Sequence, residues 1–158
     1  MQFGPLYPLC LATEGEVIEV PAAKSERFNV LGFMNIHNDL TPFIFKGSVT
    51  TEVVIACFDE FSQNLNKKTM ILIDNASIHK SNAFKAQIGK WYQRGLLLRF
   101  LPPYSPELNL IEILWRKIKY EWLPFSAYRS LKSLEQALEN ILNDFGSKYE
   151  IQFANSKC

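Results

Sequence analysis

The chain has 158 residues, of which 47% are hydrophobic and 13% aromatic, with 17 basic against 16 acidic side chains. That is enough for one domain with a real core and too little for two comfortable ones. The apolar content argues against extended disorder, and the net charge of +1 lacks the plainly basic balance of a dedicated duplex-binding module.

Cys10, Cys57 and Cys158 are odd in number, far apart and without Cys-x-x-Cys spacing. They read as reduced thiols in a cytosolic protein, which excludes a disulfide framework and a zinc site. No basic segment precedes a long apolar one, and no run approaches the roughly 18 apolar residues needed to span a bilayer. The expectation is a soluble, cytoplasmic protein with no membrane partner.

In chain order, residues 1–15 lack periodicity and read as a connector. Glu16–Pro21 alternates and predicts a short strand ended by proline. Phe28–Asn35 predicts a stronger strand, His37–Asp39 a turn, and Thr41–Gly47 a third strand antiparallel to its neighbour. From Thr50 the period changes: Val53, Val54, Cys57, Phe58 and Phe61 share a helical face, with Thr50 or Thr51 as the N-cap. Thr69–Ile73 reads as a buried strand. Asn82–Gln93 predicts a helix with Phe84, Ile88 and Trp91 inward, stopped by Arg94-Gly95. Leu96–Leu101 is another strand. A proline-rich loop leads to a helix from about Asn109 to Trp122, closed by Pro124, and a last helix covers about Ser133 to Phe145. Three meandering strands followed by helix–strand–helix–strand–helix predict a single α/β domain, core about 16–145, with a mixed sheet flanked by helices on both faces.

Two acidic residues stand in distinctive settings. Asp74 ends the apolar run Met70-Ile71-Leu72-Ile73 and opens Asp74-Asn75-Ala76-Ser77-Ile78-His79. Functional groups of open α/β sheets gather beyond the carboxyl ends of parallel strands, but Asp-Asn at a strand end is also an ordinary turn or cap. Glu112 lies at the start of the helix after the prolines. Asn109 and Glu112 fit a capping box, and an i,i+4 pair with Arg116 would also explain the glutamate. The loop between them, Phe100-Leu101-Pro102-Pro103-Tyr104-Ser105-Pro106-Glu107-Leu108-Asn109, is stiffened by three prolines that fix φ and restrict their neighbours. Such a connector suits the aiming of a carboxylate. Two carboxylates, at a strand tip and a helix start, are the layout of a divalent-metal phosphoryl-transfer site, which normally needs a third on an earlier strand. Lys67-Lys68, His79-Lys80-Lys85 and Arg116-Lys117-Lys119 fit either a phosphate track or a solvated surface.

At Asp74-Asn75-Ala76-x-x-His79-Lys80 and Leu101-Pro102-Pro103-Tyr104-Ser105-Pro106-Glu107-Leu108-Asn109-x-Ile111-Glu112-x-x-Trp115 the chain resembles the catalytic domain of bacterial insertion-sequence transposases of the mariner-like DDE superfamily. The resemblance extends over most of the chain. It implies a ribonuclease H-like fold and two-metal DNA strand cleavage and joining with Mg²⁺ or Mn²⁺. Asp74 is then the second carboxylate and Glu112 the third, with Asn75 and His79 as supporting residues. The implied partners are transposon-end and target DNA, and intact transposase or a second copy as a homodimer, in the nucleoid-associated cytoplasm.

One element of the family pattern is missing. The resemblance implies a first carboxylate, in an Asp-Glu pair that ends the first sheet strand ahead of the segment matching Phe3 to Gly15. Glu14, Glu16, Asp39, Asp59 and Glu60 do not fit that position. The expectation is an N-terminally truncated catalytic-domain fragment, without the first catalytic strand and the helix-turn-helix region. It would hold metal weakly and be inactive alone. The alternative is a non-catalytic fragment that binds DNA or pairs with intact transposase as an inhibitor.

Overall fold

The computed structural model describes residues 2–3, 28–103 and 108–153. The strand expected at Glu16–Pro21 lies outside these residues. The connector reading of residues 1–15 is corrected at one point: Gln2–Phe3 form a short strand, β1, antiparallel to Phe28–Asn29.

Strand β2 (Phe28–Met34) pairs antiparallel with β3 (Leu40–Lys46), as expected. Asn38 turns the chain between them in the left-handed conformation, φ 64°, which Asn tolerates better than most residues. Its side chain also holds both the N–H and the carbonyl of Ile151, at 2.9 and 3.2 Å, and so fastens the end of the described chain to the hairpin. Helix α1 (Thr51–Gln63) begins at Thr50, whose hydroxyl accepts from the Val53 amide. Strand β4 (Thr69–Ile73) then pairs in parallel with β5 (Leu96–Phe100) across α2 (Ser77–Lys80) and α3 (Asn82–Gln93). Helix α4 (Leu110–Lys117) runs into a π-helical turn at Ile118–Trp122, where the Leu123 amide reaches back five residues to the Ile118 carbonyl. A 3₁₀ turn (Phe125–Arg129) and α5 (Leu131–Asn143) follow.

The alternation of β2 distributes the helices. Phe28 and Val30 join Leu114, Trp115, Ile118 and the α5 residues Leu134, Leu138 and Ile141 in one core cluster. Leu31 and Phe33 point the other way, against Val54, Phe58, Ile73, Phe84, Trp91 and Leu96. Two ring pairs of that second cluster meet edge-on, Phe33 on Phe58 at 4.9 Å and Phe58 on Phe84 at 5.1 Å, while Phe33 stacks on Phe61 at 4.1 Å, and edge-on contact suits the ring quadrupoles. The result is a mixed α/β fold of small sheets with helices on two faces, consistent with a DDE or ribonuclease H-like domain.

One expectation fails. Thr69–Ile73 was read as a buried strand, yet Met70 is 60% and Leu72 55% exposed. Their run of apolar residues carries no alternation to reveal this. Ile71 and Ile73 pack on the α1–α3 side, and β5 is the one strand that pairs with β4 among the described residues. The opposite face of β4 is therefore bare there.

Candidate active site

Asp74 follows the last residue of β4, at the carboxyl end of the parallel pair. The ladder continues there through the Leu101 amide, which donates to the Ile73 carbonyl at 2.8 Å. The Asp74 Oδ1 atom accepts from the Ala76 amide at 3.0 Å and lies 2.9 Å from His79 Nδ1. The same Nδ1 lies 3.2 Å from the Asp74 carbonyl. Both neighbours of Nδ1 are acceptors, so this nitrogen carries the proton. The turn of α2 brings His79 back over the strand tip, and its ring rests near Phe84, with centroids 5.2 Å apart. Asp74 Oδ2 has no partner among the described residues, and the side chain is 48% exposed. One oxygen is held and the other is available.

Asn75 faces the proline-rich loop. Its Nδ2 donates to the Leu101 carbonyl at 2.6 Å, tying the strand tip that carries Asp74 to the start of the segment that leads to Glu112. Leu101 itself is buried. Residues 104–107, within the loop, lie outside the described residues.

Glu112 occupies the first turn of α4. Its amide donates to the Asn109 carbonyl at 3.0 Å, but the Asn109 side chain makes no cap. The Glu112 carboxylate is exposed and takes no hydrogen bond or ion pair among the described residues. Neither the capping box nor the pair with Arg116 forms. Helix α4 is instead held by its buried side. Trp115 lies so close to β2 that a Cβ added to Gly32 would stand 3.2 Å from its ring, tighter than ordinary contact, so glycine is what lets the helix seat there.

Hydrogen bonds thus join His79 to Asp74, and the adjacent Asn75 to Leu101. Glu112 shares no hydrogen bond or ion pair with them. Among the described residues, no three His, Cys, Asp or Glu side chains form a group able to hold a metal. Of the basic residues, Lys117 is occupied by Glu121 at 2.8 Å. Lys67, Lys68, Lys80, Lys85 and Arg116 carry no ion pair among the described residues. The sequence reading passed over Arg99, which stands exposed on β5 opposite Leu72. Its signal was a charge inside the apolar run Leu96–Leu101.

The family model for the DDE superfamily endonucleases matches residues 12–135. The chain belongs to that superfamily. The match covers Asp74, Asn75, His79 and Glu112 and marks a transposase-like domain whose relatives act on DNA, typically with divalent metal ions. No curated protein matches the chain. Among the described residues no helix is long and apolar enough to cross a membrane.

Proposed function

We propose that this chain is the catalytic portion of a bacterial insertion-sequence transposase of the mariner-like type, acting on transposon-end and target DNA at the nucleoid. Residues 1–158 form a single domain in this reading, with β2 contributing to both core clusters. Asp74 and Glu112 are the residues that hold a divalent cation, Mg²⁺ or Mn²⁺. The donor set suits it: a half-exposed carboxylate at a strand tip and a second carboxylate, each with an oxygen that takes no partner among the described residues. Hard cations of this kind prefer oxygen. His79 holds Asp74 Oδ1 through Nδ1–H, leaving Oδ2 to ligate, and Asn75 holds Leu101, where the proline loop begins, against the strand tip. When bound, the cation supplies an activated water or 3′-hydroxyl and stabilises the leaving oxygen.

The observation that carries this reading is the Glu112 carboxylate. Both structural explanations for it, the cap and the i,i+4 pair, are unmet.

A polypeptide of these 158 residues brings, among those described, no third acid to the site. In this reading Asp74 and Glu112 are two of three required carboxylates, and the polypeptide does not cleave by itself at a useful rate, because placement of the metals supplies most of the catalysis. Incubation with transposon-end duplex and Mg²⁺ or Mn²⁺ should give no nicking, and turnover that Asp74→Ala abolishes would overturn this. Mn²⁺ titration followed by electron paramagnetic resonance tests the site itself. Asp74→Asn and Glu112→Gln should each weaken binding at least about tenfold, and unchanged binding in both would remove the assignment. The unpaired lysines and Arg116 favour a second reading, a non-catalytic fragment that binds DNA or pairs with intact transposase and inhibits it. Salt-dependent DNA binding without cleavage is its signature.

A further inference from the structure

The exposed face of α4 does not end at Glu112. Residues four apart stand on one side of a helix, and Glu112, Arg116 and Tyr120 are all exposed while Leu114, Trp115 and Ile118 are buried behind them. Tyr120 is 68% exposed, close to the 65% of Tyr92 and Phe125, and sits within the π-helical turn. The π turn closes the helix, since Leu123 after it is already extended. Nothing in the core requires the ring to be there. The Leu123 amide closes the turn, and Ile118 anchors it.

Basic residues outnumber acids around Tyr120: Arg116, Lys117 and Lys119 against Glu121. Lys119 Nζ stands 5.4 Å from the Tyr120 ring centre, and Arg116 has no ion pair among the described residues. The nearby acid, Glu121, is neutralised by Lys117. Glu112 lies at the far end of the stripe, one turn beyond Arg116. An aromatic ring open to solvent with basic side chains beside it is how proteins hold nucleic acid strands without reading their sequence. A base inside an intact duplex has no exposed face to stack on such a ring, whereas an unpaired base does.

We propose that Tyr120 is a stacking platform for an unpaired DNA base, with Lys119 and Arg116 on the adjoining phosphates. The strand is thereby led along α4 toward Glu112. This rests on the reading of DNA as the substrate and extends it to a strand already opened.

The test uses the whole 158-residue chain and a single-stranded oligonucleotide carrying 2-aminopurine, whose fluorescence is quenched by stacking. The wild-type chain should bind and quench it. Tyr120→Leu, which keeps an apolar side chain but no ring, should lose about tenfold to a hundredfold in affinity together with the quench. Tyr120→Phe should retain both, which a loss of folding could not produce. Arg116→Gln should lower the salt slope by about 0.7 while leaving the quench in place. Equal affinity and equal quench for Tyr120→Leu and wild type would overturn the platform. A wild-type chain that binds neither single-stranded nor duplex DNA at low salt would instead sink the DNA reading on which it stands.

Discussion

Asp59 and Asp74 are both aspartates beside aromatic rings, and their surroundings could hardly differ more. Asp59, on α1, is reached by Lys90 Nζ at 2.9 Å, the Trp91 indole N–H at 2.8 Å and Arg94 at 3.2 Å, and its side chain is 24% exposed. Arg94 also donates to the Ser62 hydroxyl at 3.0 Å. Both carboxylate oxygens there are engaged, and the network fastens α1 to α3. Asp74 spends one oxygen on Ala76 and His79 and keeps the other in solvent, while Glu112 keeps both. A carboxylate with both oxygens engaged is part of the scaffold. One whose lone pairs are spare is available for chemistry, and its neighbours serve to aim it.

The comparison can be pressed from the saturated side first. Trp91→Ala removes a fully buried ring and the indole donor to Asp59. It should cost about 3–5 kcal/mol, read from urea unfolding. Asp59→Ala should cost less, about 2 kcal/mol, because the pocket is partly open to water. The same network predicts a pH dependence. Burial opposes ionisation of Asp59, but hydrogen bonds from Lys90 and Trp91, with the charges of Lys90 and Arg94, outweigh it and hold the carboxyl below the usual aspartate range. The unfolded chain therefore takes up this proton first as the pH drops. The stabilisation is present in full above the unfolded value of about 3.9 and is lost as pH falls through the lower folded one. Stability measured across that window should fall for the wild type and fall less for Asp59→Asn. At the other extreme, Glu112→Gln removes a charge with no partner and should change stability by no more than about 0.5 kcal/mol. A loss above about 1 kcal/mol there would show that Glu112 is structural after all, and the contrast would collapse.

Much of the fold was legible because its helices are amphipathic and capped by ordinary chemistry. Thr50 begins α1 as its position suggested, and Phe84 and Trp91 turn inward from α3. The helix expected over Asn109–Trp122 exists, but it ends in a π turn, since an i→i−5 bond leaves no trace in hydrophobic spacing. The Asn109–Glu112 capping box was a pattern that the local geometry did not take up. The Asp59 network joins residues more than thirty positions apart, beyond what any local motif records. The strand tip of Asp74 and its turn could be read from Asp74-Asn75, while the partners of Asn75 and His79 could not. Those depend on how α2 folds back and where β5 ends.

The Asn75–Leu101 hydrogen bond has a thermodynamic consequence. Ordering Leu101 beside the strand tip costs conformational entropy, which its bond to Asn75 offsets. The chain thus meets that cost when it folds, before any cation arrives. Less ordering is then left for the binding step, so a site with few ligands gains affinity from preorganisation that its ligand count alone would not give.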